Sequence, residues 1–457
     1  MTPPGEPRRT QRLSVVEGGL ATVHIAITTG PLVTAYALFL GAREFQLGLL
    51  AALTALSAVG SMLGAHAVGL IGARRRLTVV SSVAGRGLWG VLCLIPFVPL
   101  APETRFAVFL AAVFLGNALT HAGGAAWLSW MSDLVPIERR GRYFGVRNAI
   151  VGTVGMGVGY AAGHAFDVSE RAGTPAAGLA AIFGTAVFFA ALAGAVLDRH
   201  WEPSLAGERP RRLVETLGRP LANRPFRRLL AFLVLWSVAT GLAAPFFAAH
   251  MITNLGVSLS TLALFSIISG SMNLVMLPFW GRMIDRFGNR PVLAIDMAAI
   301  GLLPLLWLFA TPQNLVPIWI DAVLTGIFWS GFTLANFNII LASAPEEDRT
   351  AYLGAQNVAV GVSAFVAALA GGIVASGLAG VSLRAGPLTL INFHLLFAAS
   401  ALLRLVLIPV ALGLREDRAG SVAAVLDFVG DEISQRFAKG LQAGVTLVRR
   451  IGTPGGR

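Results

Sequence analysis

Apolar residues recur along the whole chain in runs of roughly 20, separated by short polar stretches rich in Arg, Gly and Pro. Wound as a helix rising about 1.5 Å per residue, such a run crosses the roughly 30 Å of hydrocarbon in a bilayer. The first half of the chain has such runs at 15–41, 46–70, 77–99, 105–131, 143–166 and 176–197, and the second at 228–252, 259–281, 291–311, 316–343, 352–377 and 389–413. A transmembrane β-barrel would show alternating segments of about ten residues instead. The pattern predicts an all-α membrane protein of about twelve transmembrane helices.

Two polar stretches between the runs match each other. Pro136, Glu138, Arg140, Tyr143, Gly145 and Asn148 correspond at one constant offset to Pro345, Glu347, Arg349, Tyr352, Gly354 and Asn357. Gly72-Ala-Arg74 likewise parallels Gly288-Asn-Arg290. Both pairs fall at equivalent points of two six-span units, and six crossings return a chain to its starting side, so the halves read as parallel repeats. The organisation expected is a six-helix half at 1–197, a cytoplasmic linker at 198–227, a second six-helix half at 228–414 and an amphipathic cytoplasmic tail at 415–457. In the tail Val422, Val425, Leu426, Val429, Ile433 and Phe437 share one helical face, suited to lying on the inner leaflet or ending the chain as a solvated segment.

Composition agrees with the runs. The chain is 55% hydrophobic and 13% charged, about half the charged fraction usual for a soluble domain. Of its 35 Lys and Arg, Arg43, Arg105, Arg171 and Arg384 fall in the loops of one side and Arg86, Arg147 and Arg404 inside spans; all the others lie on the side of the termini. The positive-inside rule then puts both termini in the cytoplasm, and a bacterial inner membrane is the expected location. The net charge of +12 is spread over every inner loop and does not form a nucleic-acid patch. The single Cys93 excludes an intramolecular disulfide.

Enzymatic readings lack their parts. The only lysine, Lys439, precedes a glycine, so no phosphate-binding Gly-Lys-Ser/Thr loop exists. There is no His-Glu-x-x-His helix and no Gly-x-Ser-x-Gly elbow. Neither cofactor nor metal is expected.

The sharpest motif is Gly281-Arg282-Met-Ile-Asp285-Arg286-Phe-Gly288-Asn-Arg290, where the eighth run ends. Gly288 permits a tight turn between two helices, and Arg286 and Arg290 suit an anionic inner surface. Together with the span count and the half-repeat, this loop resembles the signature of the major facilitator superfamily. The resemblance implies two six-helix halves rocking about a central cavity, with this loop bracing the inner side and Arg349 as a partner of Asp285. The first-half copy departs from the pattern, since Gly69 stands where the acid belongs. Gly60 and Gly64 in the second run and Gly155, Gly159 and Gly163 in the fifth recur every fourth position, which lets helices approach closely; the resemblance implies that spans two, five, eight and eleven pack the halves together. The antiporters' Gly-Pro pair is missing, because Tyr160 follows Gly159.

The resemblance further implies that spans one, four, seven and ten line the cavity. Each carries a polar or aromatic stripe at helical spacing: Glu17, His24 and Thr28; Asn117 and His121; Trp236 and Thr240; Asp321, Thr325, Trp329, Phe332 and Asn336. Such a lining suits a small, partly apolar organic solute. Glu17, His24 and Asp321 are the candidates for proton coupling, with Glu17 and His24 as the favoured pair, while Arg86 and Arg404 read as structural pairing or snorkelling. The expectation is a monomeric secondary transporter of a small organic solute, coupled to protons. A transporter-like protein that only senses or assembles is the alternative.

Overall fold

The computed structural model describes residues 6–135, 137–203, 218, 220–345, 349–385, 388–414, 416 and 420–430. Among them, 11 helical stretches are long and apolar enough to cross a membrane, and a bent pair supplies the twelfth. Span one is Glu6–Thr28 with Pro31–Phe39, span two Glu44–Ile71, span three Arg74–Leu94, span four Pro102–Leu134, span five Ile137–Arg171 and span six Pro175–Leu197. Spans seven to twelve are Arg224–Thr253, Leu259–Phe287, Asn289–Phe309, Val316–Ser343, Arg349–Gly377 and Asn392–Leu412. Span one bends by 42° where Gly30, at φ 79°, hands over to Pro31. Only a residue without Cβ takes that φ cheaply, and Pro31 then starts the next helix at a position that has no N–H to satisfy.

Two expectations need correction. The run 389–413 was expected to be wholly helical, yet Ser382–Ala385 and Leu388–Ile391 form a two-stranded antiparallel hairpin, β1 and β2, and span twelve starts at Asn392. A four-residue apolar run such as Leu388–Ile391 does not by itself distinguish strand from helix. The tail was expected on the leaflet or in solvent, yet its described part packs on the protein. Val425 is buried, Phe428 and Val429 join the core of the second half, and the Gly420 N–H donates to the Phe287 carbonyl at 2.7 Å. Ile433 and Phe437 lie outside the described residues.

The side carrying residue 6 and residues 420–430 is called the inner side here, its opposite the outer. One apolar core on the outer side joins both halves, with Tyr36, Phe109 and Phe183 from the first and Phe246, Phe393 and Phe397 from the second. Towards the inner side there are two separate cores, one around Trp130 and Leu134 in the first half and one around Phe226, Met297 and Ile340 in the second. The glycines follow the same division. A Cβ on Gly48 of span two would sit 2.6 Å from Cα of Gly372 in span eleven, and one on Gly163 of span five 2.8 Å from the Leu259 carbonyl oxygen of span eight. Gly145, Gly152 and Gly354, nearer the inner ends of spans five and eleven, would meet nothing within 4 Å. The halves are closed on the outer side and parted on the inner: the molecule faces inward. Gly60 and Gly64 do not join the halves; they press on Ala118 and Ala122 of span four in their own half.

Candidate functional site

In the first half the structure gathers Glu17, Arg86 and Arg147. The Glu17 carboxylate lies 3.9 Å from Arg86 on span three and 3.6 Å from Arg147 on span five. Arg147 reaches it across Gly18, where a Cβ would lie 2.6 Å from the guanidinium Nη2, and it rests over the Trp127 ring at 4.5 Å. Its Nε donates to the Ser14 carbonyl at 3.3 Å. Glu17 is therefore paired with two arginines and not with His24, as expected from the sequence. His24 is buried, edge-on to Trp89 at 6.0 Å, and Thr28 donates to the His24 carbonyl at 2.8 Å. The span-one stripe shares one face, as its spacing requires, and that face meets spans three, five and six of its own half. On span four, His121 is exposed and Asn117 half-buried.

In the second half the structure brings spans seven and ten together through aromatic rings. Trp236 stacks on Phe332 at 4.8 Å, and Trp329 stands edge-on to Phe332 at 5.4 Å and 6.4 Å from Trp236. Thr240 uses its hydroxyl on the Trp236 carbonyl at 2.9 Å, and Asn336 is half-buried with its Oδ1 unpartnered. Asp321, near the outer end of span ten, is buried; it accepts from Thr325 at 3.3 Å, with the Trp307 indole and the Arg404 guanidinium beside it. Asp296 on span nine belongs to none of the polar stripes. It is completely buried, neither carboxylate oxygen has a hydrogen-bond partner, and it lies against Gly331 of span ten, where any Cβ would collide with it. A lone acid in the apolar stretch 291–311 was the available signal.

Between spans one, five and eight, just inside the Gly163–Leu259 closure, lies a cavity of about 490 Å3. Ile25, Gly155, Met156, Ala263 and Ile267 make its wall mostly apolar, with Thr22 and Ser266 as polar points. No group of three or more potential metal-ligating side chains occurs among the described residues.

The model of the Major Facilitator Superfamily matches residues 229–432, most of the second half and the start of the tail. The chain superposes on the D-xylose-proton symporter with a TM-score of 0.66 at 14% identity, over 89% of this chain and 98% of that one. The inward open xylose transporter XylE from E. coli gives 0.65 at 14%, covering 92% and 99%. A bacterial homologue of the iron transporter ferroportin in its inward-facing state gives 0.64 at 15%, covering 89% and 98%. The second half of the chain thus matches the superfamily in sequence, and the whole chain shares the fold of these structures. None of the curated proteins matches it in sequence. At such identities the structural likeness establishes a transporter fold and not a solute.

The loop that resembles the superfamily's signature lies at the inner end of span eight. Gly281 is half-buried in span eight, Gly288 takes φ 88° and turns the chain into span nine, Asp285 is exposed, and Arg286 lies 4.1 Å over the Phe428 ring of the tail. The side chain of Arg349, the expected partner of Asp285, lies outside the described residues. A different acid holds the loop. The Glu416 carboxylate accepts the backbone N–H of Asn289 at 2.9 Å and of Arg290 at 2.8 Å, capping span nine. The first half repeats this device: Glu202 accepts the Arg74 N–H at 2.6 Å at the start of span three, and the Arg74 guanidinium also pairs with Asp133. Each half thus uses an acid beyond its sixth span to cap its third span, where unsatisfied N–H groups and the helix dipole favour a carboxylate.

Proposed function

We propose that the protein is a secondary transporter that moves a small organic solute by alternating access, coupled to protons. We place it in a bacterial inner membrane with both termini in the cytoplasm. The observation that supports this best is the asymmetry of closure: one core joins the halves on the outer side and two separate cores stand on the inner. A protein that must expose one site to two sides in turn needs halves that rock about such a contact. We assign the solute's path to the exposed His121 and half-buried Asn117 of span four and to the Trp236–Trp329–Phe332 rings with Thr240 and Asn336 of spans seven and ten. Asp321 is the carboxyl assigned to coupling, because gain or loss of its proton changes the charge balance against Arg404. Glu17 is the second carboxyl, poised between two arginines.

Reconstitution into proteoliposomes with an imposed pH gradient tests the reading. Uptake or counterflow of a solute from a panel of sugars, nucleosides and organic acids, dependent on the gradient and weakened by Asp321→Asn, is the expected result. A well-folded protein that moves no member of the panel under any gradient contradicts it.

A further inference from the structure

We infer that the transported solute is an anion, gripped through a carboxylate or phosphate group by Arg86 and Arg147. The inference rests on the transport reading above and names its substrate class. Its first support is charge balance. Two guanidinium groups share the one carboxylate of Glu17, so the cluster, buried among apolar helices, carries an excess positive charge. An uncompensated ion in such surroundings is costly, and the remedy is an anion.

The second support is hydrogen bonding. Arg86 is 7% exposed, yet its Nε and Nη1 have no hydrogen-bond partner. Glu17 is close enough at 3.9 Å for attraction but too far for a bond. Beside Arg86, the Nδ1 of buried His24 and the indole N–H of fully buried Trp89 are also unpartnered. The third support is placement. Arg147 lies 4.5 Å over the Trp127 ring, its Nε donates to the Ser14 carbonyl, and it is half-buried, not sealed off. A planar guanidinium fixed in this way can bind a carboxylate or phosphate through two parallel N–H bonds, which a mobile lysine cannot reproduce. Glu17 then serves as the internal competitor that occupies the arginines when the solute is away.

The test is uptake into proteoliposomes of matched probes: glucose, glucuronate and glucose 6-phosphate, then succinamide and succinate. The expected result is uptake of a charged member and not of its neutral counterpart; which charged member moves separates carboxylate from phosphate. Arg86→Gln and Arg147→Gln should each cut that uptake at least tenfold, whereas Glu17→Gln should tighten half-saturation for the anion. A cluster that only holds the bundle together predicts that all three variants lose stability without changing the charge preference. Uptake of a neutral probe at equal rates by wild type and Arg147→Gln overturns the anion assignment and leaves transport standing. No uptake of any probe by wild type contradicts transport itself, and this assignment with it.

Discussion

The carboxylate of Asp167, near the outer end of span five, accepts the backbone N–H of Leu259 at 2.9 Å and that of Ser260 at 3.0 Å, the first residues of span eight. One half thereby caps a helix of the other. The two bonds satisfy N–H groups that have no partner within span eight, and they exist only while the outer side is closed. Losing a helix cap costs about 1 kcal/mol, roughly a fivefold change in a two-state population. Asp167→Ala should therefore raise outward opening severalfold. Labelling of an Ala263→Cys variant by a membrane-impermeant thiol reagent from the outside reads this directly, and an unchanged labelling rate would remove Asp167 from the latch.

The outer closure also depends on Gly48. Its missing side chain leaves room for Gly372 and for the Ala368 carbonyl oxygen at 2.7 Å, both backbone and neither able to turn aside. Gly48→Ala should therefore destabilise the inward-facing form by about 1–3 kcal/mol. The reading is a lower thermal unfolding midpoint in detergent. Gly157→Ala, at a position that meets nothing within 4 Å, is the control expected to leave the midpoint in place.

The inner caps form a third pair of tests. Glu202→Ala and Glu416→Ala should each cost about 0.5–2 kcal/mol, as cap removals do. Because they lie in different halves with no shared partner, their effects should add in the double variant. A double variant no worse than either single one would show that the two caps do not act independently.

His200, just past span six, gives the protein a pH response outside the membrane. It is fully buried, 5.8 Å from the Trp130 ring, with its Nδ1 3.0 Å from the Val196 carbonyl oxygen. Burial pushes its pKa below the ordinary value, so the folded protein keeps it neutral while the unfolded chain takes up a proton near pH 6.5. Below that pH the unfolded state binds more protons, and stability is lost as the pH falls towards the folded pKa. The unfolding midpoint of His200→Gln should fall less than that of wild type between about pH 7.5 and pH 5. Parallel curves would exclude His200 as the cause.

Much of this architecture was legible in the amino-acid order. The apolar runs located all twelve spans, because crossing hydrocarbon demands a fixed length of helix whatever the neighbours are, and the helices overrun them most at the start of span one and span five and the end of span eight. The side-chain partners were less legible. Spacing showed that Glu17, His24 and Thr28 share a face, but 3.6-residue periodicity does not say which neighbour a face meets, and here it meets spans three, five and six. Arg147 was recognised only as a charge inside a span, since its partner depends on Gly18 leaving room one helix away. Glu202 and Glu416 carry no local mark in the sequence, because a cap is a relation between distant segments. Their common place after the sixth span of each half was the overlooked sign. The hairpin before span twelve escaped because Leu388–Ile391 is as apolar as the helix that follows.

In the proposed transport cycle the two halves rock between an inner-open and an outer-open arrangement. Distances between spin labels on Cys93→Ser protein in lipid test it most directly, with one pair at Gly145 and Gly354 on the inner side and another at Arg43 and Arg384 on the outer. Alternating access from this inner-open form requires a long inner and a short outer distance as the major state. It also predicts a second population in which both change in opposite senses, with proportions that shift on lowering the pH or adding a transported anion. A single fixed distance for each pair under all conditions would contradict alternating access.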